Sequence, residues 1–155
     1  MTSKKVYIII SWFLVALCMG VIFYLSARPA TESQEMSDSL MFKFIEIFGI
    51  EISGRFIRKL AHATEFFSLA VLLFNAIYVT FKHKMTWAFA LCVAILYAIS
   101  DEIHQLFVEG RACQLKDVLI DSSGAIVGIL ISLIILKLIN SRKERGKKNG
   151  STQTF

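Results

Sequence analysis

Four long apolar stretches run through the chain, separated by shorter segments rich in polar residues. The first covers residues 6–25 and contains no charge, and twenty helical residues span about 30 Å, the thickness of a membrane's hydrocarbon core. The second covers residues 56–81, and its first turns carry charged residues. The third and fourth cover about residues 85–100 and 117–138, and the fourth carries Gly124 and Gly128 one turn apart, which predicts a helix-packing face. The pattern predicts four membrane-spanning helices.

The longest connection, residues 26–55, holds a different pattern. Within it Met41, Phe44, Ile45 and Phe48 recur at the spacing of one helical stripe. This spacing predicts a short outer amphipathic helix between the first two spans, which either lies on the membrane surface or packs against the spans. Beyond the fourth span, residues 141–155 are basic and then polar, which predicts a disordered cytoplasmic tail.

Composition indicates an all-α membrane protein. Hydrophobic residues make up 55% of the 155 positions, and the mean hydropathy of +0.61 excludes an ordinary soluble domain. One proline and 8 glycines leave little turn chemistry for an all-β fold. The cysteines, Cys18, Cys92 and Cys113, show neither disulfide nor metal-binding spacing. Residues 1–140 are therefore predicted to form one domain, an integral membrane four-helix bundle.

The basic residues predict the direction in which the spans run. With four spans, 10 of the 17 Lys and Arg residues fall on one side, most of them close to span ends, and 7 fall on the other. Positive residues favour the cytoplasmic side, so both termini are predicted to be cytoplasmic. The net charge of +5 could suggest nucleic acid, but the basic excess lies in the tail beside an apolar span. That position favours contact with lipid headgroups and no nucleic-acid partner.

Ionisable residues gather at the outer ends of three predicted spans, at spacings that place each group on one face of its helix. The groups are Arg58, His62 and Glu65 in the second span, Asp101 and His104 after the third, and Asp117 and Asp121 at the start of the fourth. A charged side chain within a membrane costs about 2.5–3.5 kcal/mol on insertion scales. Their convergence on one side therefore predicts mutual pairing or a functional site.

These residue types allow several kinds of site. Histidine titrates near neutral pH and a carboxylate can orient it, so one hypothesis is acid–base catalysis by His62, Glu65, Asp101, His104 and Asp121. Another is a divalent metal, with His62, Glu65, His104 and Asp121 as candidate ligands. The candidate ligand-binding residues, which include basic groups suited to an anion at headgroup level, are Arg58, Lys59, Glu102, Gln105, Arg111 and Asp117. For Arg58, Lys59, Glu102 and Asp117, interfacial pairing, capping or snorkelling is the alternative.

Three separated motifs, in this order, resemble the VanZ-like family. They are RKLAHATEF at 58–66, SDEIHQLF at 100–107 followed by Gly110 and Arg111, and the series Asp117, Asp121, Gly124 and Gly128. The resemblance covers nearly the whole chain to the end of the fourth span. Two departures are small: Glu109 stands where the family often has proline, and Ala63 and Thr64 follow His62 where an aromatic residue is common.

The resemblance implies a multi-pass protein of the bacterial plasma membrane, linked through the family's name-giving member to low-level resistance to the glycopeptide teicoplanin. We expect a cell-envelope protein whose outer-leaflet polar pocket binds an anionic lipid or a lipid-linked cell-wall precursor and so limits access of lipoglycopeptides. The alternative is a membrane-embedded hydrolase that acts on a lipid-linked substrate, with a divalent metal or by acid–base catalysis. A proton-linked transporter is less favoured, because the ionisable residues occupy only the outer half of the spans. The sequence is compatible with a monomer and with a homo-oligomer.

Overall fold

Helices form all the regular structure in the described part of the chain, residues 2–49 and 53–151 of a computed structural model. In chain order they are α1 (Thr2–Ser26), α2 (Ala30–Phe48), α3 (Gly54–Phe81), α4 (Thr86–Gln105) and α5 (Leu115–Ser151). Four stretches are long and apolar enough to cross a membrane: Ser3–Ser26, Gly54–Phe81, Thr86–Gln105 and Leu115–Arg145. The all-α class and the four predicted spans are confirmed.

Two helices continue well past the C-terminal ends that the hydropathy pattern predicts. α4 continues through the polar residues 101–105, because a polar side chain does not end a helix when its backbone bonds are kept and its own polar atoms find partners. α5 continues to Ser151, so residues 141–151 of the tail expected to be disordered are helical. Lys, Arg and Glu are good helix formers and extend the helix beyond its apolar part. The tail's last residues, 152–155, lie outside the described residues.

The helix predicted between the first two spans is α2, which ends at Gly49 in the left-handed conformation (φ +66°). Its apolar stripe is only partly covered, since Phe48 is 60% exposed. Ser33 and Ser37 are instead its buried residues. α2 contacts the neighbouring α3, so it is packed on the spans along a largely polar face.

α3 is the central element, because it contacts each of the other four helices and packs most extensively against α5. Glycines allow this close packing. A Cβ atom added to Gly124 would collide with the carbonyl oxygen of Ala63, and one added to Gly128 would lie 2.6 Å from the carbonyl oxygen of Phe67. The glycine pair predicted as a packing face therefore lets α5 approach the backbone of α3.

Small side chains also allow α4 to pack closely. Ala90, Ala94 and Ala98 recur every four residues and are wholly buried. Phe66 and Leu69 of α3 belong to the same core. Large apolar side chains point outward along the long helices, as expected where a helix faces lipid rather than water.

Candidate functional site

The polar ends of α3, α4 and α5 meet at one end of the helices, around a cavity of about 120 Å³. The loop from Leu106 to Gln114 closes one wall of this cavity, and the start of α2 also contributes. The residues that line it are Ala30, Arg58, Lys59, His62, Gln105, Gly110, Arg111, Ala112, Gln114, Asp117, Ile120 and Asp121. The helix ends that carry the three polar groups predicted to converge are thus brought together, although not every residue of those groups lines the cavity.

A compact group of His62, Asp101 and Asp121, one residue from each of α3, α4 and α5, lies at the cavity. One potential metal-binding atom of each residue lies within 4.8 Å of those of the other two. Asp101 is 3% exposed and Asp121 only 1% exposed. Two carboxyl groups so close together in a buried place need protons, hydrogen-bond donors or a cation to be stable.

Asp101 obtains part of this stabilisation from neutral donors. The hydroxyl of Ser26, at the end of α1, donates a 2.7 Å hydrogen bond to Asp101 Oδ2. The side-chain amide of Gln105 donates a second bond of 3.0 Å to the same oxygen. Both donors are themselves buried. Asp101 is therefore held in one orientation by two helices.

Asp121 has no comparable support. Among the described residues, neither of its carboxylate oxygens has a hydrogen-bond partner, although both are buried. The same holds for Nδ1 of His62 and for Oε2 of Glu65. These two atoms are 3.8 Å apart, which exceeds a hydrogen bond but places a carboxylate beside the imidazole. Unpartnered buried polar atoms thus concentrate around His62.

Glu102 serves the fold rather than the cavity. It is 1% exposed, and its Oε2 accepts a 2.8 Å hydrogen bond from the backbone N–H of Gln114, directly before α5 begins. A carboxylate at a helix N-terminus also interacts favourably with the helix dipole. Glu102 therefore fixes the start of α5, and with it Asp117 and Asp121.

Arg111 fixes the other end of the loop. Its Nε donates a 2.9 Å hydrogen bond to the carbonyl of Arg28, and a terminal nitrogen donates one of 3.4 Å to the carbonyl of Leu25 at the end of α1. Burial, and then the nearby positive charge of Arg58, lower the pKa of Arg111, while Asp101 among others acts in the opposite direction. Arg111 lines the cavity while it ties the loop to α1.

The two cations of α3 that line the cavity, Arg58 and Lys59, differ in their partners. Lys59 Nζ lies 3.4 Å from Asp117 Oδ1, an ion pair whose geometry is not that of a hydrogen bond. Arg58 takes part in neither of the ion pairs found among the described residues. It is partly buried and lines the cavity. Arg58 is therefore the cation most available to a bound anion.

His104 belongs neither to the cavity lining nor to the group of His62, Asp101 and Asp121. Its ring stacks on Phe23 of α1, with 4.4 Å between ring centroids, and it does not line the cavity. Its Nε2 has no hydrogen-bond partner among the described residues. The metal ligand set suggested from the sequence included Glu65 and His104. The group that the structure brings together contains neither of them and instead has Asp101 beside His62 and Asp121.

Ser26 and Gln114 belong to this site but were not singled out as candidates from the sequence. Both signals are weak: Ser26 is a small polar residue at the end of an apolar span, and Gln114 bonds through its backbone N–H. No side-chain pattern reveals a backbone donor.

Comparison with known protein families matches the chain to the VanZ/LLP1 family over residues 11–137. This stretch contains the cavity and the buried cluster, and it ends before the basic tail. No curated protein and no solved structure matches the chain.

Proposed function

The chain belongs to the VanZ/LLP1 family, and from this membership we propose that it is a cell-envelope protein of the bacterial plasma membrane that binds an anionic lipid or lipid-linked cell-wall precursor. The binding site is the polar cavity between α3, α4 and α5. By binding such a ligand at the outer membrane surface, the protein limits the access of lipoglycopeptides such as teicoplanin to that surface.

The proposal depends chiefly on the position of Arg58. It lines the cavity without an ion-pair partner among the described residues. A guanidinium binds a phosphate through two parallel hydrogen bonds, and Lys59 and Arg111 add positive charge at the same wall. The cavity, of about 120 Å³, has room for several water molecules or a polar group of similar size. A phosphate group is therefore the chemistry we assign to the ligand.

The charge distribution supports an outer position for the cavity. The ends of the spans away from the cavity carry most of the Lys and Arg residues, and such residues favour the cytoplasm. This orientation makes both termini cytoplasmic and places Arg58 among the headgroups of the outer leaflet.

Teicoplanin susceptibility of a sensitive Gram-positive host tests the proposal. Expression of the chain should raise the minimum inhibitory concentration, and Arg58→Gln should abolish the rise at equal protein levels. Arg55→Gln is the matched control, because Arg55 is exposed one turn earlier on α3 and does not line the cavity. No rise with the unaltered chain, or full protection by Arg58→Gln, would contradict the proposal.

Binding by purified protein distinguishes the two sources of phosphate. The full chain in detergent micelles is titrated with phosphatidylglycerol and, separately, with a polyprenyl diphosphate. Tighter binding of the diphosphate, weakened by Arg58→Gln, indicates the cell-wall precursor. Tighter binding of phosphatidylglycerol indicates a structural lipid, and binding of neither contradicts the assignment.

A second candidate function is a hydrolase that acts on a lipid-linked substrate. His62 beside Glu65, with the unpartnered Asp121 nearby, favours it, because such a set can exchange protons with a bound substrate or water. Release of inorganic phosphate from the polyprenyl diphosphate, lost in His62→Gln, would support it. Binding without turnover would favour the first proposal.

A further inference from the structure

Three helices each contribute one metal-binding side chain to a single point beside the cavity. The atoms of His62, Asp101 and Asp121 lie within 4.8 Å of one another. Two ligands of one zinc ion are at most about 4.2 Å apart, twice a bond of about 2.1 Å. Small side-chain movements would therefore bring all three atoms to a common ion.

The burial of Asp121 and the state of its carboxylate oxygens distinguish this cluster from an ordinary group of acidic residues. Asp121 is 1% exposed, and both of its oxygens are without a hydrogen-bond partner among the described residues. Oδ2 of Asp101 accepts hydrogen bonds from both Ser26 and Gln105, whereas the second oxygen of its carboxylate takes part in neither bond. A buried carboxylate with no donor is unusual in proteins, and a bound ion is one of its standard explanations.

We infer that His62, Asp101 and Asp121 bind a divalent cation. One imidazole nitrogen and two carboxylates suit Zn²⁺ or Mn²⁺ better than Ca²⁺ or Mg²⁺, which prefer oxygen ligands alone. Oε2 of Glu65 lies 3.8 Å from Nδ1 of His62, so a small side-chain movement would make Glu65 the carboxylate that commonly orients a ligating histidine.

Three protein ligands leave at least one coordination position open, as in catalytic zinc sites. His62 and Asp121 both line the cavity, so that position faces its interior. A phosphate oxygen could then bind the ion while Arg58 binds the same group. This last consequence rests on the function proposed above, whereas the metal site itself does not.

Metal content of purified protein tests the inference. The full chain is prepared in detergent without a histidine tag, stripped with a chelator, loaded with Zn²⁺ or Mn²⁺, desalted and analysed for metal. We expect a single ion per chain. His62→Gln and Asp121→Asn should each weaken metal affinity at least about tenfold, and Glu65→Gln by about 10–100-fold, as for residues that support a ligand.

The other histidines provide the controls for the ligand set. His104→Ala should retain the ion, because His104 stacks on Phe23 away from the cluster, and His83→Gln should retain it because His83 lies exposed beyond the end of α3. Loss of the ion in His104→Ala together with its retention in His62→Gln would overturn the assignment, as would the absence of a stoichiometric ion from the unaltered chain.

Thermal unfolding distinguishes a variant that has lost the metal site from a variant that has simply misfolded. Added metal should raise the Tm of the unaltered chain and of His104→Ala, because a ligand of the folded state stabilises it. Asp121→Asn should unfold, without metal, at or above the Tm of the metal-free unaltered chain and should show a much smaller shift on adding metal. An equal metal shift in Asp121→Asn would contradict the inference. A bound ion with unchanged teicoplanin susceptibility would leave the metal site standing and reject the proposed function.

Discussion

Ser26, the last residue of α1, donates a 2.7 Å hydrogen bond to Asp101 in the last turn of α4. Ser26 is wholly buried and Asp101 is 3% exposed, so water does not compete for the bond. Through it α1, whose apolar part carries no charge, becomes part of the polar site. The position of the Asp101 carboxylate beside His62 and Asp121 therefore depends on a residue of another helix.

Ser26→Ala should destabilise the protein by about 1–3 kcal/mol, because a buried carboxylate loses a donor and gains none in return. Ser100→Ala is the control: Ser100 is exposed, one residue before Asp101, and within the described part of the chain its hydroxyl bonds only to the carbonyl of Tyr97. Denaturant unfolding in detergent measures both. Equal small losses in the two variants would show that the bond to Asp101 contributes nothing.

Gly124→Ala should prevent α5 from packing on α3. Its methyl group would collide with the backbone carbonyl of Ala63, which cannot turn aside as a flexible side chain can. Overpacking of this kind costs about 1–3 kcal/mol or more. Gly20→Ala, in the middle of α1 with nothing within 4 Å of the added atom, should instead be neutral or gain about 0.5–1 kcal/mol from helix propensity. The two variants are compared by their homogeneity in size-exclusion chromatography and by their Tm. Similar values for both would contradict the close contact between Gly124 and α3.

The length of the apolar runs was sufficient to predict the four spans, and helical spacing predicted the helix between the first two. These features follow from local pattern, since a stretch of the right length and polarity has few alternatives in a membrane. The glycine pair predicted a packing face on α5, but only the structure shows that its partner is α3. The convergence of three polar groups followed from topology alone. What periodicity could not provide was the rotation of each helix about its own axis.

The end of α4 shows this limit. Asp101 and His104 are one turn apart, and this spacing predicted that both belong to the site. The wholly buried alanines Ala90, Ala94 and Ala98 define the face of α4 that packs inward, and Asp101 and Gln105 continue that face. His104 falls beside it and meets Phe23. The alanine stripe was the signal in the sequence that separates the two residues.

Arg111→Lys should loosen the loop between α4 and α5. The guanidinium donates from two nitrogens to the carbonyls of Arg28 and Leu25, and an ammonium group cannot reproduce that fork. Hydrogen bonds from a charged group contribute about 1.5–3 kcal/mol, and part of that should be lost. Arg55→Lys, at an exposed position, should leave stability within about 0.5 kcal/mol. The free energy of unfolding is measured for both variants. An unchanged value for Arg111→Lys would mean that the hydrogen bonds to α1 do not contribute to stability.

Cys113 reports the orientation on which the lipoglycopeptide proposal depends. Cys113 is exposed in the loop beside the cavity, and the charge distribution predicts that this loop lies outside the cell. With Cys18 and Cys92 replaced by alanine, an impermeant maleimide should label Cys113 on intact cells. His83→Cys in a cysteine-free chain is the control for the opposite side, since His83 lies in the exposed turn between α3 and α4 and should react only after permeabilisation. The reverse pattern would put the cavity in the cytoplasm, where it could not limit access of an external antibiotic. The metal site, whose proposed ligands are His62, Asp101 and Asp121, would be unaffected.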